Sequence, residues 1–240
     1  MKRTLLISDI HGELVKFEQL LEMVNYNPDQ DQLILLGDYV DRGPHSKEVI
    51  EKVMSLNEAG ARVLKGNHED MMIKALTTDE EHAWNRWVKI NGGDKTLLSY
   101  GFSEEDLIVS EETFQKPLLP SEILEKHLEF VQGLEHYIET DEYIFVHAGV
   151  HPSTPVTETD PHTLMWIRDE FHNGYKGEKT VIFGHTYTKT LHGDAENYEV
   201  YFGNNRIIGI DGGAVYGGQL NCLELPSRKV YSVKHNGENN

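Results

Sequence analysis

The stretch LILLGDYVDRG at residues 33–43 decides the fold of this chain, because it joins an apolar run to a turn rich in charged residues. A run of four aliphatic residues that ends at a glycine is typical of a buried strand. The turn after it contributes Asp38, Asp41 and Arg42. Ligands collect beyond the carboxyl ends of strands in α/β sheets, so this stretch predicts a functional site at one edge of a sheet.

The same pattern occurs at four other places in the chain. TLLI precedes SDIHG at 8–12, RVLK precedes GNHE at 66–69, YIFV leads into VHAG at 146–149, and VIF leads into FGHT at 183–186. A single motif of this kind is weak, because a lone histidine after a strand is more often structural than a ligand. Five of them predict one convergent site. They supply six side chains of metal-binding type, namely Asp9, His11, Asp38, Asn67, His147 and His185.

The chemistry of these side chains points to a pair of metal ions. Carboxylate and amide oxygens mixed with imidazole nitrogens favour first-row divalent ions such as manganese, iron or zinc over calcium and magnesium. Two such ions clamp the attacking and leaving oxygens of a phosphoryl displacement. Gly37, Gly66 and Gly184 directly precede candidate ligands, and we expect a residue without a Cβ to let the chain turn sharply there. The sequence therefore predicts a two-metal hydrolytic centre.

The order of the motifs resembles that of the calcineurin-like metallophosphoesterases. The DRG and GNHE forms are similar to those of the phosphoprotein phosphatases within that family. LMWIRDEF at 164–171 and IDGGAVYGG at 210–218 resemble its small bacterial and phage-type serine/threonine phosphatases. The resemblance covers about residues 4–225. Ser8 stands where the family usually has glycine, and we expect a small residue to be tolerated there.

The resemblance implies a ligand set for two divalent ions, which we expect to be manganese, with iron or zinc as alternatives. Asp9, His11 and Asp38 would hold the first ion. Asp38 would bridge to the second, which Asn67, His147 and His185 would complete. A hydroxide bridging the two ions would attack phosphorus without forming a phosphoenzyme.

The resemblance also implies roles for four further side chains. Arg42 and Arg168 would bind the oxygens of the substrate phosphate through fork-like hydrogen bonds. His68 would protonate the leaving oxygen, and Asp41 would orient the His68 ring and favour its charged form.

Three functions are compatible with the motifs. The leading one is a metal-dependent phosphomonoester hydrolase that acts as a protein serine/threonine phosphatase, with phosphotyrosine as a further substrate. The alternative is a dinucleoside polyphosphate hydrolase, for example of diadenosine tetraphosphate. Asp41 favours the phosphatase, because symmetrical diadenosine tetraphosphate hydrolases have alanine at this position of the motif. A non-catalytic scaffold is disfavoured, since all the candidate ligands, His68 and both arginines are present.

Composition limits the partners of the protein. The 240 residues include 40 acidic and 22 basic side chains, for a net charge of −18, which argues against binding nucleic acid. No stretch approaches the ~20 apolar residues of a membrane span, and the first ten residues lack the features of a signal peptide. The one cysteine, Cys222, excludes an intramolecular disulfide. We therefore expect a cytoplasmic monomer or weak oligomer, without a membrane partner, that acts on a phosphorylated protein or nucleotide-like substrate.

The distribution of strand and helix signals predicts an α/β fold. Residues 1–70 alternate strands and amphipathic helices, about 70–135 have mainly helical signals, and 136–234 return to strands. We expect one metallophosphoesterase domain at 1–235, with a helical insertion at about 70–135 and a disordered tail at 236–240. The resemblance implies two packed mixed β-sheets flanked by helices.

Overall fold

Two mixed β-sheets lie at the centre of the molecule. A computed structural model describes residues 2–109 and 114–234, so the predicted disordered tail at 236–240 lies outside the described residues. The strands within those residues are β1 (Arg3–Ile7), β2 (Asp31–Leu35), β3 (Arg62–Val63), β4 (Tyr137–Glu139), β5 (Tyr143–Val146), β6 (Thr180–Phe183), β7 (Tyr201–Phe202), β8 (Ile207–Gly209), β9 (Gln219–Leu225) and β10 (Lys229–Lys234).

The strand order is β10–β9–β1–β2–β3 in the first sheet and β4–β5–β6–β8–β7 in the second. Strands β1, β2 and β3 run parallel, as do β5, β6 and β8. The remaining neighbours pair antiparallel. Because the parallel strands of each sheet end at a common edge, the motifs after them are brought together. The predicted fold of two mixed sheets flanked by helices is confirmed.

Helices cover the outer faces of both sheets. They are α1 (Leu14–Met23), α2 (Ser46–Glu58), α3 (Asn67–Thr77), α4 (Glu81–Trp84), a π-helix (Asn85–Ile90), α5 (Gly93–Ser99), α6 (Glu122–Gln132), α7 (Pro161–Trp166), α8 (Asp169–Gly174) and α9 (Thr188–His192). In the described parts of the chain, none of them has both the length and the apolarity required to cross a bilayer.

The continuous apolar runs of the inner strands are explained by burial on both faces. In β1, Leu5 and Ile7 pack against α1 and α2 in one core cluster, while Leu6 points into the layer between the sheets. In β6, Ile182 points into that same layer. Val181 and Phe183 pack on the opposite face, against α7 and α8. A shift of one residue in either strand would move each of these side chains to the opposite face of its sheet.

The segment from α3 to α6 contains helices joined by irregular stretches, and no strand, in its described part, residues 67–109 and 114–132. It begins at Asn67, because the GNHE motif itself forms the first turn of α3. Trp84 and Trp87 are fully buried and join the core on the α1–α2 side of the first sheet. The helical content agrees with the expected insertion at about 70–135, and the assignment of this segment as an insertion stays a prediction.

Candidate metal centre

The six predicted ligands converge at one edge of the two sheets, and all six are buried. Asp9 follows β1, and its carboxylate accepts hydrogen bonds from the backbone N–H of His185, which follows β6. Asp38 follows β2, and His147 follows β5. Asn67, the first residue of α3, places its Oδ1 atom 2.9 Å from Nε2 of His147. The side chains that follow the apolar runs therefore lie close together in the folded chain, as the sequence predicted.

The loops that carry these side chains have an unusual backbone conformation. Nine residues other than glycine have a positive φ in the described chain, and six of them are Asp9, His11, Asp38, Asp41, Arg42 and His185. A residue other than glycine whose backbone lies in the left-handed region is strained, and such residues concentrate at functional sites. The strain marks this edge as the place where the surrounding fold dictates side-chain direction.

The glycines before the ligands are required for two different reasons. Gly37 has φ +105°, as expected for a sharp turn. Gly66 has φ −97°, and a Cβ there would lie 2.2 Å from Oδ1 of Asp38. A Cβ on Gly184 would lie 2.1 Å from Oδ2 of Asp9. Gly184 also begins a tight turn, because its carbonyl accepts from the backbone N–H of Thr186 at 2.6 Å. At Gly66 and Gly184 a second reason applies, since the carboxylate of a candidate ligand packs directly on the backbone.

Asp38 contributes one oxygen to each of two clusters of ligand-type atoms. Oδ2 lies 3.5 Å from Nε2 of His11 and 3.9 Å from Nε2 of His68. Oδ1 lies 3.4 Å from Nε2 of His147, and His185 completes the second cluster. Within each cluster the ligand-type atoms lie within 4.8 Å of one another. Neighbouring ligands of one ion have comparable spacing when the bonds are about 2.0–2.2 Å long, so the arrangement fits two ions that share a carboxylate.

The histidine rings are oriented by contacts behind the site. Nδ1 of His11 donates to the carbonyl of Val40 at 2.8 Å, and Nδ1 of His147 donates to the carbonyl of Leu36 at 2.9 Å. Both rings therefore direct Nε2 towards Asp38. Nε2 of His185 is buried and has no hydrogen-bond partner within the described chain. A buried nitrogen left without a partner is the expected condition of a ligand.

The three histidines among the candidate ligands differ in protonation state. Burial lowers the pKa of His11 and of His185 well below the usual value, so both rings are neutral. Burial also acts against a charged His147, but the nearby Asp38 carboxylate raises the pKa of His147 to about 9. Burial opposes ionisation of Asp38, yet the charge of His147 holds the pKa of Asp38 well below its usual range. An ion bound at His147 must therefore displace a proton.

Asp9 is held differently from the other carboxylate. It belongs to neither of the two clusters around Asp38 in the described chain. Its Oδ2 accepts a hydrogen bond from the Ser8 hydroxyl at 2.5 Å as well as from the His185 backbone. Burial raises the pKa of Asp9. Ser8, expected only to be tolerated, thus contacts a candidate ligand directly.

His68 and Asp41 form a buried pair, as expected. Nδ1 of His68 lies 2.6 Å from Oδ2 of Asp41. Asp41 also accepts hydrogen bonds from Nε1 of Trp87 at 2.9 and 3.0 Å and from the hydroxyl of Thr96 at 2.7 Å. Nε2 of His68 faces Asp38, so its geometry is compatible with a metal ligand as well as with an acid. No pattern in the sequence indicated the bond of Trp87 to Asp41.

The two predicted phosphate-binding arginines flank the clusters. Nη1 of Arg42 lies 2.9 Å from Nε2 of His11, on the lone pair that a metal ion would use. Nη1 of Arg168 donates to the carbonyl of His185 at 3.2 Å and to the hydroxyl of Thr186 at 3.1 Å. Both guanidinium groups therefore lie beside the ligand clusters.

Glu69 supports the site, although no role was predicted for it. Its carboxylate accepts hydrogen bonds from the backbone N–H groups of Asp38, Tyr39 and Gly66 at 2.8–2.9 Å. Burial and the charge of Asp38 raise the pKa of Glu69 to about 7. This one carboxylate joins the loops after β2 and β3.

Asp211 was also missed, although the rule used for the other motifs applies to it. It follows the apolar run of β8, Oδ1 accepts from the Gly213 N–H at 2.8 Å, and Oδ2 is buried with no partner in the described chain. Burial, and then the charge of Asp9, raise the pKa of Asp211 well above its usual value. A carboxylate directly after the run RIIGI was the available signal.

Comparisons with known proteins agree with this geometry. The family model for calcineurin-like phosphoesterases matches residues 2–213. An asymmetrical bis(5′-nucleosyl)-tetraphosphatase PrpE from Bacillus cereus strain Q1 is 27% identical over 95% of this chain and 92% of its own. The same-named protein of Bacillus cereus strain ATCC 10987 is 28% identical, with equal coverage.

Solved structures share the fold. A protein provisionally named a diadenosine tetraphosphatase has a TM-score of 0.69 at 22% identity, covering 97% of this chain and 93% of its own. A protein serine/threonine phosphatase from Saccharomyces cerevisiae has a TM-score of 0.61 at 13% identity, covering 97% and 80%. Since the family model covers most of the sequence and the strand-end clusters are in place, the chain belongs to the calcineurin-like phosphoesterase family.

Proposed function

We propose that this phosphoesterase is a metal-dependent hydrolase of dinucleoside polyphosphates that cleaves them off-centre. The curated relatives aligned over nearly the full length of both chains carry that activity in their name. The expectation of a protein phosphatase rested on the DRG and GNHE forms, on the segments at 164–171 and 210–218, and on Asp41. Of these, Asp41 argues only against symmetrical hydrolases. It does not bear on an asymmetrical one, so the alternative considered for the sequence becomes the leading proposal.

Two divalent ions would be held by the residues around Asp38. His11 and Asp38 would serve one ion, and Asp38, Asn67, His147 and His185 the other, with Asp9 close to His185. When bound, such ions stabilise charge on the oxygens exchanged at phosphorus and make water acidic enough to react near neutral pH. The donor set fits first-row divalent ions, and among them we propose manganese.

Arg42 and Arg168 would bind the nonbridging phosphate oxygens. Arg42 contacts Nε2 of His11, so metal binding at that nitrogen would release the guanidinium towards the substrate. Arg168 is positioned by the His185 carbonyl and the Thr186 hydroxyl through Nη1 alone. Its remaining N–H groups would donate to phosphate.

His68 would supply the proton to the leaving oxygen. Water gives up a proton to the solvent as its oxygen forms a bond to phosphorus, the bond from phosphorus to the leaving oxygen breaks, and that oxygen receives the proton of Nε2. His68 then takes up a proton from the solvent. Asp41 holds Nδ1 at 2.6 Å, which keeps Nε2 pointing towards Asp38. Trp87 and Thr96 in turn fix Asp41.

A pair of tyrosines is the observation that carries the choice of substrate. The Tyr216 ring is 49% exposed, and the guanidinium carbon of Arg42 lies 5.2 Å from its centre. Tyr187 packs against Tyr216 with ring centres 5.3 Å apart. An aromatic surface beside a phosphate-binding arginine fits a nucleobase, because stacking a base on such a ring contributes about 1–3 kcal/mol.

Protein phosphatase activity is the second candidate, and the His68–Asp41 pair favours it. A serine alkoxide is a poor leaving group and depends on a proton donor, whereas a nucleotide phosphate leaves more readily. The buried network of Asp41, Trp87 and Thr96 would be most useful for such a poor leaving group.

The test compares substrates under the same metal conditions. We expect diadenosine tetraphosphate to be hydrolysed to AMP and ATP, separated by chromatography, with a higher kcat/KM than a phosphoserine peptide. Tyr216→Ala should lower kcat/KM for the dinucleotide about tenfold. Phe202→Ala, which removes a similarly exposed ring on β7, is the control. Preference for the phosphopeptide, or cleavage to two ADP molecules, would contradict the proposal.

A further inference from the structure

Arg86 lies close to the metal centre but belongs to none of the motifs. Its guanidinium carbon is 4.5 Å from the centre of the Trp166 ring. The Trp166 ring in turn meets the His185 ring edge-on, with centres 6.0 Å apart. Arg86 is thus separated from a candidate metal ligand by one aromatic ring. Arg168, two residues after Trp166, contacts the backbone of the same His185.

The segment that carries Arg86 is held against the loop that contains Asp41 and Arg42. Arg86 lies in the π-helix Asn85–Ile90, next to Trp87, whose indole donates to Asp41. The carbonyl of Gly92 accepts from the backbone N–H of Arg42 at 3.2 Å. Gly93 allows the Trp87 ring to pack on the backbone, since a Cβ there would lie 2.6 Å from the ring. A π-turn within a helix is often found at a functional site.

Arg86 has no acidic partner among the described residues. In residues 2–109 and 114–234, no carboxylate forms a salt bridge with it, although the protein has 40 acidic side chains. Glu81, on the preceding turn, instead accepts a hydrogen bond from Asn85. By contrast, Arg3 and Arg62 are paired with acids. An exposed arginine stacked on tryptophan keeps its N–H edge available for an anion.

We propose that Arg86 is a specificity-determining residue that binds a second phosphate group, remote from the one held by Arg42 and Arg168. The ligand class is a linear polyphosphate chain. The inference rests on the proposed function to the extent that a dinucleoside tetraphosphate contains such a chain. A substrate with a single phosphate has no group for Arg86 to bind, so this residue separates polyphosphates from monoesters.

Inhibition of p-nitrophenyl phosphate hydrolysis tests the proposal, with inorganic tripolyphosphate and orthophosphate as the inhibitors and the free metal concentration held constant. We expect Arg86→Ala to raise the inhibition constant of tripolyphosphate about tenfold, as for the loss of an exposed hydrogen bond to a charged group. The constant for orthophosphate should change less than about twofold. Arg86→Lys should recover part of the difference, because it keeps the charge without the planar fork.

Lys89→Ala is the matched control, because it removes the same charge from the same π-helix without a contact to Trp166. Equal shifts for both inhibitors, no shift, or the same shift in Lys89→Ala would overturn the role of Arg86. Arg86→Gln provides a second variant if alanine perturbs folding. The readout does not require the dinucleotide to be a substrate. A selective tripolyphosphate effect without diadenosine tetraphosphate hydrolysis would support Arg86 and count against the proposed function.

Discussion

Replacing His68 by asparagine should have an effect that depends on the leaving group. An acid matters most when the departing oxygen is strongly basic, and general acid catalysis contributes about 10²–10⁴-fold. For an alkyl phosphate or a phosphoserine peptide we expect a loss of that size, about 2.7–5.4 kcal/mol in the barrier. For p-nitrophenyl phosphate, whose phenolate hardly needs a proton, the loss should stay below about tenfold.

The contact with Asp41 sets the size of the companion effect. The 2.6 Å bond between Nδ1 of His68 and Oδ2 of Asp41 is buried, and a hydrogen bond to a charged group contributes about 1.5–3 kcal/mol. Asp41→Asn removes the charge and leaves the ring nitrogen present. We therefore expect a loss of about 10–150-fold on the alkyl phosphate, in the same direction as His68→Asn and smaller.

The assay is a series of phosphate monoesters with leaving groups of increasing basicity, for which the logarithm of kcat/KM is plotted against leaving-group pKa. The plot should be steeper for both variants than for the wild type. Metal content must be measured in parallel, because Nε2 of His68 lies within the first ligand cluster. Parallel lines with unchanged metal content would show that His68 binds phosphate, and the assignment of the acid would then be wrong.

Four further outcomes follow from the site and the core. Chelation should abolish activity, and manganese should restore it better than magnesium. Asp38→Asn should be the most damaging change of a candidate ligand. An Asp38→Asn variant that keeps both ions and normal turnover would refute the bridging role of Asp38. Gly184→Ala, whose Cβ would lie 2.1 Å from Asp9 Oδ2, should cost about 1–3 kcal/mol of unfolding free energy and lower metal content, whereas Gly133→Ala, which has no close contact, should not. Burial lowers the pKa of His127 to about 4, against about 6.5 when unfolded. The contribution of the neutral His127 ring to the free energy of unfolding is therefore complete above pH ~6.5 and is lost as the pH falls towards ~4. The free energy of unfolding should change by at most ~1.4 kcal/mol per pH unit for this reason. Denaturant unfolding of His127→Gln should show a shallower pH dependence.

Residues directly after apolar runs were the ones that the sequence could identify. Asp9, Asp38 and His147 could be placed at one edge of the sheets because a buried strand is encoded locally, in four or five consecutive residues. The same interpretation of the run before Asp211 would have found that carboxylate as well. The substrate remained open, because the motifs encode phosphate chemistry and not the group attached to it.

Contacts made across long sequence distances could not be predicted in this way. Trp87 lies 46 positions from Asp41, and nothing in the helical pattern of its segment distinguishes an indole that packs from one that also donates. Arg86, next to it, reads as an ordinary solvated charge. Gly66 and Gly184 were identified correctly as necessary, but their reason depends on which atoms approach the backbone, and only the folded chain supplies that information.

The bond between Trp87 and Asp41 restricts how this protein can be re-engineered. A designer who exchanges the helical segment for one from another hydrolase, in order to alter selectivity, also removes the indole that orients the aspartate behind His68. The graft would then change turnover and selectivity together, and a failed chimera would be misread as a poor substrate match. A workable exchange keeps Trp87, Thr96 and the Gly92–Gly93 corner, and varies only the outward-facing positions between them.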